Sequence, residues 1–238
     1  MAPKIELVIF LEFGMPQQLY FAPGACSFVP HVLLEASGAE FEPIMVKLHK
    51  GEQYGDAYKS LNPHSQVPVL VDSTVSGTHT ITQILAIVGY LHDCYPQMEY
   101  LPSEPLAKAS IMQTLAWMNN TVHPTFTHIF MPQKYTNQPE QHAALKEHNT
   151  AVFAQQLAKI DALCASAAAA GQPFLGGSRL GPLDAYAVTL VRWGGMAGLD
   201  PLQWAAAWPH LQKVAAVPAV ARVIERERLQ MNMFKPAQ

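Results

Sequence analysis

Residues 18–27 read Gln-Leu-Tyr-Phe-Ala-Pro-Gly-Ala-Cys-Ser, and this stretch decides the fold of the first half of the chain. The run 18–22 predicts a short buried strand, and Pro23-Gly24 is typical of a turn. Apolar residues then recur at helical spacing from Val29, so a helix is expected to begin near Cys26. The sequence therefore predicts strand, turn and helix, with one cysteine at the helix start.

The position of Cys26 predicts thiol chemistry. A side chain at a helix start faces unpaired backbone N–H groups and the positive end of the helix dipole, which favours a thiolate and lowers the pKa. Cys26 would then act as a nucleophile or form a mixed disulfide with an external thiol. The alternative is a packing residue, because free cysteines are often buried. Cys94 and Cys164 are predicted to pack, and with no second cysteine nearby Cys26 has no dithiol partner.

The rest of the first half predicts a small α/β unit. The order is β-α-β-(loop or α)-β-β-α, with the first two strands parallel and the last two in a hairpin. The remaining strands are predicted at 41–46, 66–71 and 78–81, and the last helix at 84–91. Pro68 near the start of a strand removes a ladder donor. If the Val67–Pro68 bond is cis, the Val67 N–H and C=O point into solvent and can pair with a peptide-like ligand.

After residue 105 the apolar periodicity is helical throughout, which predicts a helical bundle. The predicted helical stretches are a stripe from Ile111 to Val122, Val152 to Leu163, Asp184 to Trp193, and a surface helix from Val214 to Leu229. Gly181-Pro182-Leu183-Asp184 predicts a helix start in which Asp184 accepts from the N–H of the cap residue. Tyr95 to Pro105 contains three prolines and reads as a linker.

Composition excludes several kinds of protein. Half of the 238 residues are hydrophobic, 14% are charged and the formal net charge is −3, which gives no electrostatic support to nucleic-acid binding. The apolar run Leu7–Leu11 is too short and too closely flanked by glutamates to span a membrane. The histidines lack metal-ligand spacing. Three scattered cysteines fit a reducing compartment, so a cytoplasmic location is expected.

Three motifs together carry a resemblance. Leu-Tyr-Phe-Ala-Pro-Gly-Ala-Cys-Ser at 19–27, Asn-Pro-His-Ser-Gln-Val-Pro-Val-Leu at 62–70 and Val-His-Pro-Thr-Phe at 122–126 resemble bacterial glutathione S-transferases. The sequence is most similar to the beta class, which has a cysteine rather than tyrosine or serine at this site. The resemblance covers about residues 18–230 and implies a thioredoxin-like domain followed by an all-α domain.

The resemblance implies an organisation, a co-substrate and a set of site residues. Organised sequence begins at Gln18, which predicts a tail at 1–16 that can be disordered. The resemblance implies a glutathione-binding domain at 17–96, a linker at 97–106 and a helical substrate-binding domain at 107–238. Catalysis would fall to Cys26 and His123, with Pro68 cis. The implied glutathione-binding residues are Gln66, Val67, Pro68, Gln83, Ile84 and Lys50, and the implied substrate-pocket residues are Phe21, Phe126 and Phe130. The implied partners are a small electrophile and a second copy of the chain, without a metal.

Gln83-Ile84 departs from the family pattern. The family usually has an acidic residue followed by Ser or Gly here, which hold the α-ammonium and the γ-glutamyl carboxylate of glutathione. Gln83 offers no charge, and Ile84 offers only its backbone N–H at a helix start. Glutathione affinity is expected to be reduced, and three functions stay open: a transferase, a thiol oxidoreductase that passes through a Cys26–glutathione disulfide, and a non-catalytic binding protein on the same fold.

Overall fold

The computed structural model describes residues 17–236, so the expected tail at 1–16 lies outside the described residues. The first half is built from four strands and three helices. The strands are β1 (Gln17–Phe21), β2 (Phe41–Met45), β3 (Val69–Asp72) and β4 (His79–Thr82), and the helices are α1 (Phe28–Ser37), α2 (Asp56–Leu61) and α3 (Ile84–Cys94).

The strands form one mixed sheet in the order β2-β1-β3-β4. β1 is parallel to β2, while β3 is antiparallel to both β1 and β4. A crossover through α1 joins the parallel pair β1 and β2, and β3 and β4 form a hairpin, as the element pattern predicted. The first helix begins at Phe28 with Ser27 as its N-cap, so Cys26 lies in the turn just before it, close to the predicted helix start.

The second half contains six helices among the described residues. They are α4 (Pro105–Trp117), α5 (His123–Phe130), α6 (His142–Ala169), α7 (Pro182–Met196), α8 (Ala207–Ala215) and α9 (Pro218–Glu227), with a π-helical turn at Met118–Val122 between α4 and α5. Within the described chain all strands precede residue 83, apart from an isolated bridge between Phe174 and Gly177. The predicted combination of a mixed α/β sheet and an all-helical second half is confirmed.

Two helix predictions differ from the structure. The single helix predicted from Val214 to Leu229 is wrong, because Pro218 cannot donate to the preceding turn and instead begins α9. The helix predicted at 152–163 is α6, which runs from His142 through the alanine-rich stretch to Ala169, since alanine is the strongest helix former. The start of α7 is as predicted: Asp184 Oδ2 accepts from the Gly181 N–H at 3.0 Å.

A large hydrophobic core joins the two halves. It runs from Leu19 and Leu70 in the sheet through α1 to Tyr186 and Leu190 of α7, all completely buried. A smaller cluster on the other face of the sheet contains Tyr58 of α2 and Val67. α1 packs against β1 on one side and against α7 and α9 on the other. The turn before α1, which carries Cys26, contacts the helical half through Trp193 of α7.

Candidate functional site at the start of the first helix

Cys26 is held in a tight turn between β1 and α1. The Ser27 hydroxyl accepts from the Ala22 N–H at 3.1 Å and donates to the Ala22 carbonyl at 3.2 Å, which closes the turn. The Cys26 side chain is 8% exposed, and its thiol donates to the carbonyl of Val67 over 3.5 Å. The turn before α1 and the loop before β3 are thus joined through the sulfur.

The expectation of an acidic Cys26 thiol is wrong. Burial raises the pKa of Cys26 to about 12, and the nearby N–H groups of Cys26 and Ser27 lower it by less than burial raises it. The sulfur does lie beside helix-start amides, as predicted, but removal from water penalises the thiolate more strongly than those dipoles stabilise it. At neutral pH Cys26 is a thiol and a hydrogen-bond donor.

The Val67–Pro68 peptide bond is cis, as predicted. The Val67 carbonyl does not point freely into solvent, because it accepts from the Cys26 thiol. Within residues 17–236 no hydrogen bond is formed by the Val67 N–H. The carbonyl of Gln66 accepts from the Tyr58 hydroxyl and from Asn62 Nδ2, both at 2.8 Å, so the loop is fixed from behind while the Gln66 side chain is exposed.

Gln83 and Ile84 stand at the start of α3. Gln83 is exposed and has φ 71° and ψ 128°, a left-handed backbone that is costly for a non-glycine residue and often marks a functional position. Ile84 is 4% exposed, and its side chain packs in the core. Only its backbone N–H remains available to the site.

Lys50 is exposed in a single 3₁₀ turn at Leu48–Lys50, after β2. Its backbone N–H donates to the Lys47 carbonyl at 2.9 Å, and no hydrogen bond or ion pair among residues 17–236 connects it to the other predicted site residues.

His123 is the first residue of α5, directly after the π-helical turn. Its Nδ1 lies 2.8 Å from the Tyr186 hydroxyl, which donates to Asn119 Oδ1 at 3.1 Å. With the tyrosine proton directed to Asn119, the consistent tautomer of His123 carries its proton on Nδ1. Burial, and secondarily the charge of Lys134, lowers the pKa of His123 to about 4, so the imidazole is neutral at pH 7.

No hydrogen bond joins His123 to Cys26 in the described chain, and the connection between them runs through α7. The His123 ring lies edge-on to Trp193 with centroids 4.8 Å apart. The Trp193 indole N–H donates to the Gly24 carbonyl over 2.8 Å. Trp193 therefore contacts both His123 and the turn that carries Cys26.

Three aromatic rings form a column beside His123. Phe126 stacks on Phe130 at 5.5 Å and on Trp193 at 4.6 Å, and only Phe130 is exposed, by 57%. Phe130 is therefore the predicted pocket residue with an accessible ring. Phe21 is 2% exposed and packs against His31 at 4.7 Å, so its assignment to a substrate pocket is wrong: strand alternation points it into the core.

Sequence reasoning missed the residues that clamp the cysteine turn from the helical half. The Gly24 N–H donates to Glu227 Oε2 over 2.7 Å, while its carbonyl accepts from Trp193 and, at 3.4 Å, from Arg192. Glu227 is buried and also contacts His31 Nδ1 at 2.7 Å. Tyr186 and Trp193 are two turns apart on one face of α7, so their spacing could have predicted that they lie together. Nothing in the sequence around Glu227 indicates its contact with Gly24.

Within residues 17–236 no three His, Cys, Asp or Glu side chains are grouped in a way that could hold a metal ion. Among the described helices, none is both long and apolar enough to cross a bilayer.

Known proteins share this architecture. Residues 15–93 match the family model described as glutathione S-transferase, N-terminal domain. The chain is 31% identical over 220 residues to glutathione S-transferase GstA of Escherichia coli O157:H7, covering 89% of this chain and 99% of that protein. The solved glutathione S-transferase of Xylella fastidiosa is 26% identical with a TM-score of 0.77, covering 90% and 100% of the two chains.

A sphingomonad glutathione S-transferase solved in complex with glutathione is 27% identical to this chain, with a TM-score of 0.73 and coverage of 90% and 100%. These likenesses extend over both the sheet and the helices. The chain belongs to the glutathione S-transferase family.

Proposed function

We propose that the chain is a glutathione transferase that binds glutathione at Val67 and places the glutathione sulfur beside Cys26. The observation that carries the proposal is the contact between the Cys26 thiol and the Val67 carbonyl, 3.5 Å apart. The contact joins the Val67 main chain, which can pair with a peptide ligand, directly to the Cys26 thiol, which can bind the ligand sulfur. The family relationship and the glutathione bound to the sphingomonad relative support the same ligand.

The Val67 main chain suits the cysteinyl unit of glutathione. The Val67 N–H has no hydrogen bond within the described residues and can donate to the cysteinyl carbonyl, while the cysteinyl N–H can donate to the Val67 carbonyl. That second bond competes with Cys26 for the same acceptor. Docking would thus release the Cys26 thiol to donate to the glutathione sulfur lying next to it.

A protonated Cys26 favours transfer over disulfide chemistry. Because burial raises its pKa to about 12, Cys26 is a weak nucleophile at neutral pH but a competent donor to a glutathione thiolate. In the conjugation the glutathione thiol releases its proton to water. The thiolate then forms a sulfur–carbon bond with an aryl chloride, and the carbon–chlorine bond breaks as chloride departs with its electron pair. Cys26 stays a thiol throughout.

The electrophile would lie at the exposed end of the aromatic column. Phe130 presents the accessible ring, and Phe126 and Trp193 support it from within. The neutral His123, hydrogen-bonded to Tyr186, would position polar groups near the sulfur without adding charge. Gln83 would accept from the glutathione α-ammonium, and the N–H groups that begin α3 would bind the γ-glutamyl carboxylate.

Calorimetric titration with glutathione beside a conjugation assay with an aryl chloride tests the proposal. A transferase should release heat on glutathione binding and show conjugation above the uncatalysed rate. In Cys26→Ser, a hydroxyl donor should preserve much of the activity, whereas Cys26→Ala should lose more. Binding without conjugation of any electrophile would support the alternative, a non-catalytic binding protein, which the uncharged Gln83 favours. No binding at millimolar glutathione would overturn both.

We also propose a homodimer in a reducing compartment such as the cytoplasm. The family relationship supports the dimer, and the three free cysteines of the described chain fit the compartment. Light scattering on the purified chain tests the dimer, and a monomer at micromolar concentration would contradict it.

A further inference from the structure

A chain of hydrogen bonds links His123 to two asparagines through Tyr186 of α7. His123 Nδ1 lies 2.8 Å from the Tyr186 hydroxyl. That hydroxyl donates to Asn119 Oδ1 at 3.1 Å, and Asn119 Nδ2 donates to Asn120 Oδ1 at 2.8 Å. Both asparagines lie in the π-helical turn just before His123, and such turns often occur at functional positions. We call these four side chains the relay.

The relay has a direction, because a hydroxyl has only one proton to donate. Burial, and secondarily the charge of Cys26, raises the pKa of Tyr186 well above its usual value, so the hydroxyl stays protonated. Its proton goes to Asn119, whose amide is oriented by the bond to Asn120. The tyrosine oxygen can then only accept from His123, which leaves the imidazole proton on Nδ1 and a lone pair on Nε2.

The Nε2 atom of His123 is the free end of the relay. It makes no hydrogen bond within residues 17–236, and it is not fully buried, since the ring is partly exposed. The ring contacts Trp193, which donates to the carbonyl of Gly24 in the cysteine turn. The pKa of Tyr186 responds to charge on Cys26, so the relay lies within electrostatic range of the sulfur.

We propose that Asn119 and Tyr186 are positioning residues that keep the proton of His123 on Nδ1, so that Nε2 can take the proton of the glutathione thiol. The S–H bond breaks with its electron pair left on sulfur, an N–H bond forms at Nε2, and water then receives the proton. Asn119 and Tyr186 would thus do what the orienting group of a catalytic base does, which is to fix its tautomer. Because the pKa of His123 is about 4, the proton passes on to water rather than staying on the ring. The inference rests on the proposed function and adds the residues that orient its histidine.

NMR of the imidazole nitrogens reads the tautomer in the full chain at neutral pH without ligand, and His123→Phe assigns the signals. The parent should carry the proton on Nδ1. Asn119→Asp should show the same tautomer, because a carboxylate can only accept from Tyr186. In Asn119→Leu the tyrosine proton turns to Nδ1, and in Tyr186→Phe Nδ1 has no acceptor, so both variants should carry the imidazole proton on Nε2. Tyr54→Phe, on an exposed tyrosine, is the matched control and should resemble the parent.

Conjugation of an aryl chloride and glutathione calorimetry separate positioning from a general loss of structure. In Asn119→Leu and Tyr186→Phe the kcat should fall about tenfold, because the active tautomer loses one hydrogen bond relative to the inactive one. The dissociation constant of glutathione should stay at the parent value, and Asn119→Asp should retain more activity than Asn119→Leu. Tyr54→Phe should keep the parent kcat.

The proposal is overturned by a proton on Nε2 in the parent, or by different tautomers in the parent and Asn119→Asp. An unchanged kcat in both Asn119→Leu and Tyr186→Phe would overturn it as well. Absence of glutathione binding would overturn the proposed function, whereas the tautomer, measured without ligand, tests the relay by itself. Thermal unfolding checks each variant, and should Tyr186→Phe fail to fold, the two variants of the partly exposed Asn119 decide.

Discussion

The thiol of Cys26 donates to the main-chain carbonyl of Val67 across 3.5 Å, between two loops that lie 41 residues apart in sequence. One loop ends β1 and the other begins β3, which are antiparallel neighbours in the sheet. Sheet pairing therefore fixes the distance between the sulfur and the docking edge. A peptide ligand that donates to the Val67 carbonyl has to displace the hydrogen bond from the Cys26 thiol. Ligand binding would therefore release this thiol to donate to the ligand.

Alkylation of Cys26 should be slow at neutral pH and rise steeply with pH. Burial raises the pKa to about 12, so the thiolate fraction should increase about tenfold per pH unit between about pH 6 and pH 10, without a plateau. Iodoacetamide labelling read residue by residue with mass spectrometry measures this, with exposed Cys94 as an internal reference. A plateau near pH 7 would show an acidic thiol and restore the disulfide route.

Replacing Gln83 by Glu should tighten glutathione binding by roughly ten- to a hundredfold. The residue is exposed at the start of α3, and a carboxylate there adds a charge-assisted bond to the ligand α-ammonium, worth about 1.5–3 kcal/mol. Calorimetry measures the affinity. Gln113→Glu, an exposed change of the same charge on α4, should have no effect. Equal tightening in both variants would assign the gain to net charge rather than to position 83.

His123 should make the fold sensitive to acid. Its pKa falls from the usual 6.5 to about 4 in the folded chain, so the unfolded chain binds more protons between these values. Stability conferred by the neutral ring is complete above about pH 6.5 and is lost as the pH drops towards 4. Urea unfolding at several pH values should show this loss in the parent and in the exposed control His148→Phe, and a smaller loss in His123→Phe. Identical pH profiles for all three would rule out a role for His123.

Sequence predicted what depends on neighbours along the chain. The order of strands and helices around Cys26, the turn at Pro23-Gly24 and the acidic cap at Asp184 all follow from local patterns, and each is present. The family resemblance added the cis Val67–Pro68 bond, which a single sequence disfavours.

Sequence did not predict what depends on packing between distant segments. The pKa of Cys26 is set by how much of the molecule covers it, and helix-start dipoles alone gave the wrong direction. Phe21 was assigned to a pocket although its strand position turns it towards α1. Glu227 lies 203 residues from Gly24, and only the fold brings them together. In each case the outcome depends on which distant segments pack together, and this cannot be read from local sequence.

Glu227→Gln should destabilise the chain by about 3 kcal/mol. The carboxylate is buried between the Gly24 N–H and His31, and loss of its charge weakens both contacts in a low-dielectric environment. Urea unfolding measures the free energy. Glu225→Gln, exposed on the same helix, should change stability by less than about 0.5 kcal/mol. Equal effects in the two variants would mean that the clamp on the cysteine turn contributes little.

Gly24→Ala should both destabilise the fold and loosen the cysteine turn, and Gly38→Ala separates the causes. Both glycines have left-handed backbones, with φ 68° and 72°, so each alanine costs about 1–2 kcal/mol from that conformation alone. At Gly38 nothing lies within 4 Å of the new Cβ, whereas at Gly24 the Cβ would lie 2.6 Å from Arg192 Nη1. Arg192 is also bonded to the Gln230 carbonyl at 2.7 Å, so moving it breaks a second contact.

The Gly24 variant should therefore unfold at lower urea than the Gly38 variant and bind glutathione more weakly, because the turn displaced by the new methyl group carries Cys26. Gly38→Ala should keep the affinity of the parent, since the end of α1 is far along the chain from the sulfur. Urea unfolding and glutathione calorimetry on the two variants measure both effects. If Gly24→Ala loses stability but binds glutathione like the parent, the contacts of Gly24 with the helical half stabilise the fold but do not position the Cys26 thiol.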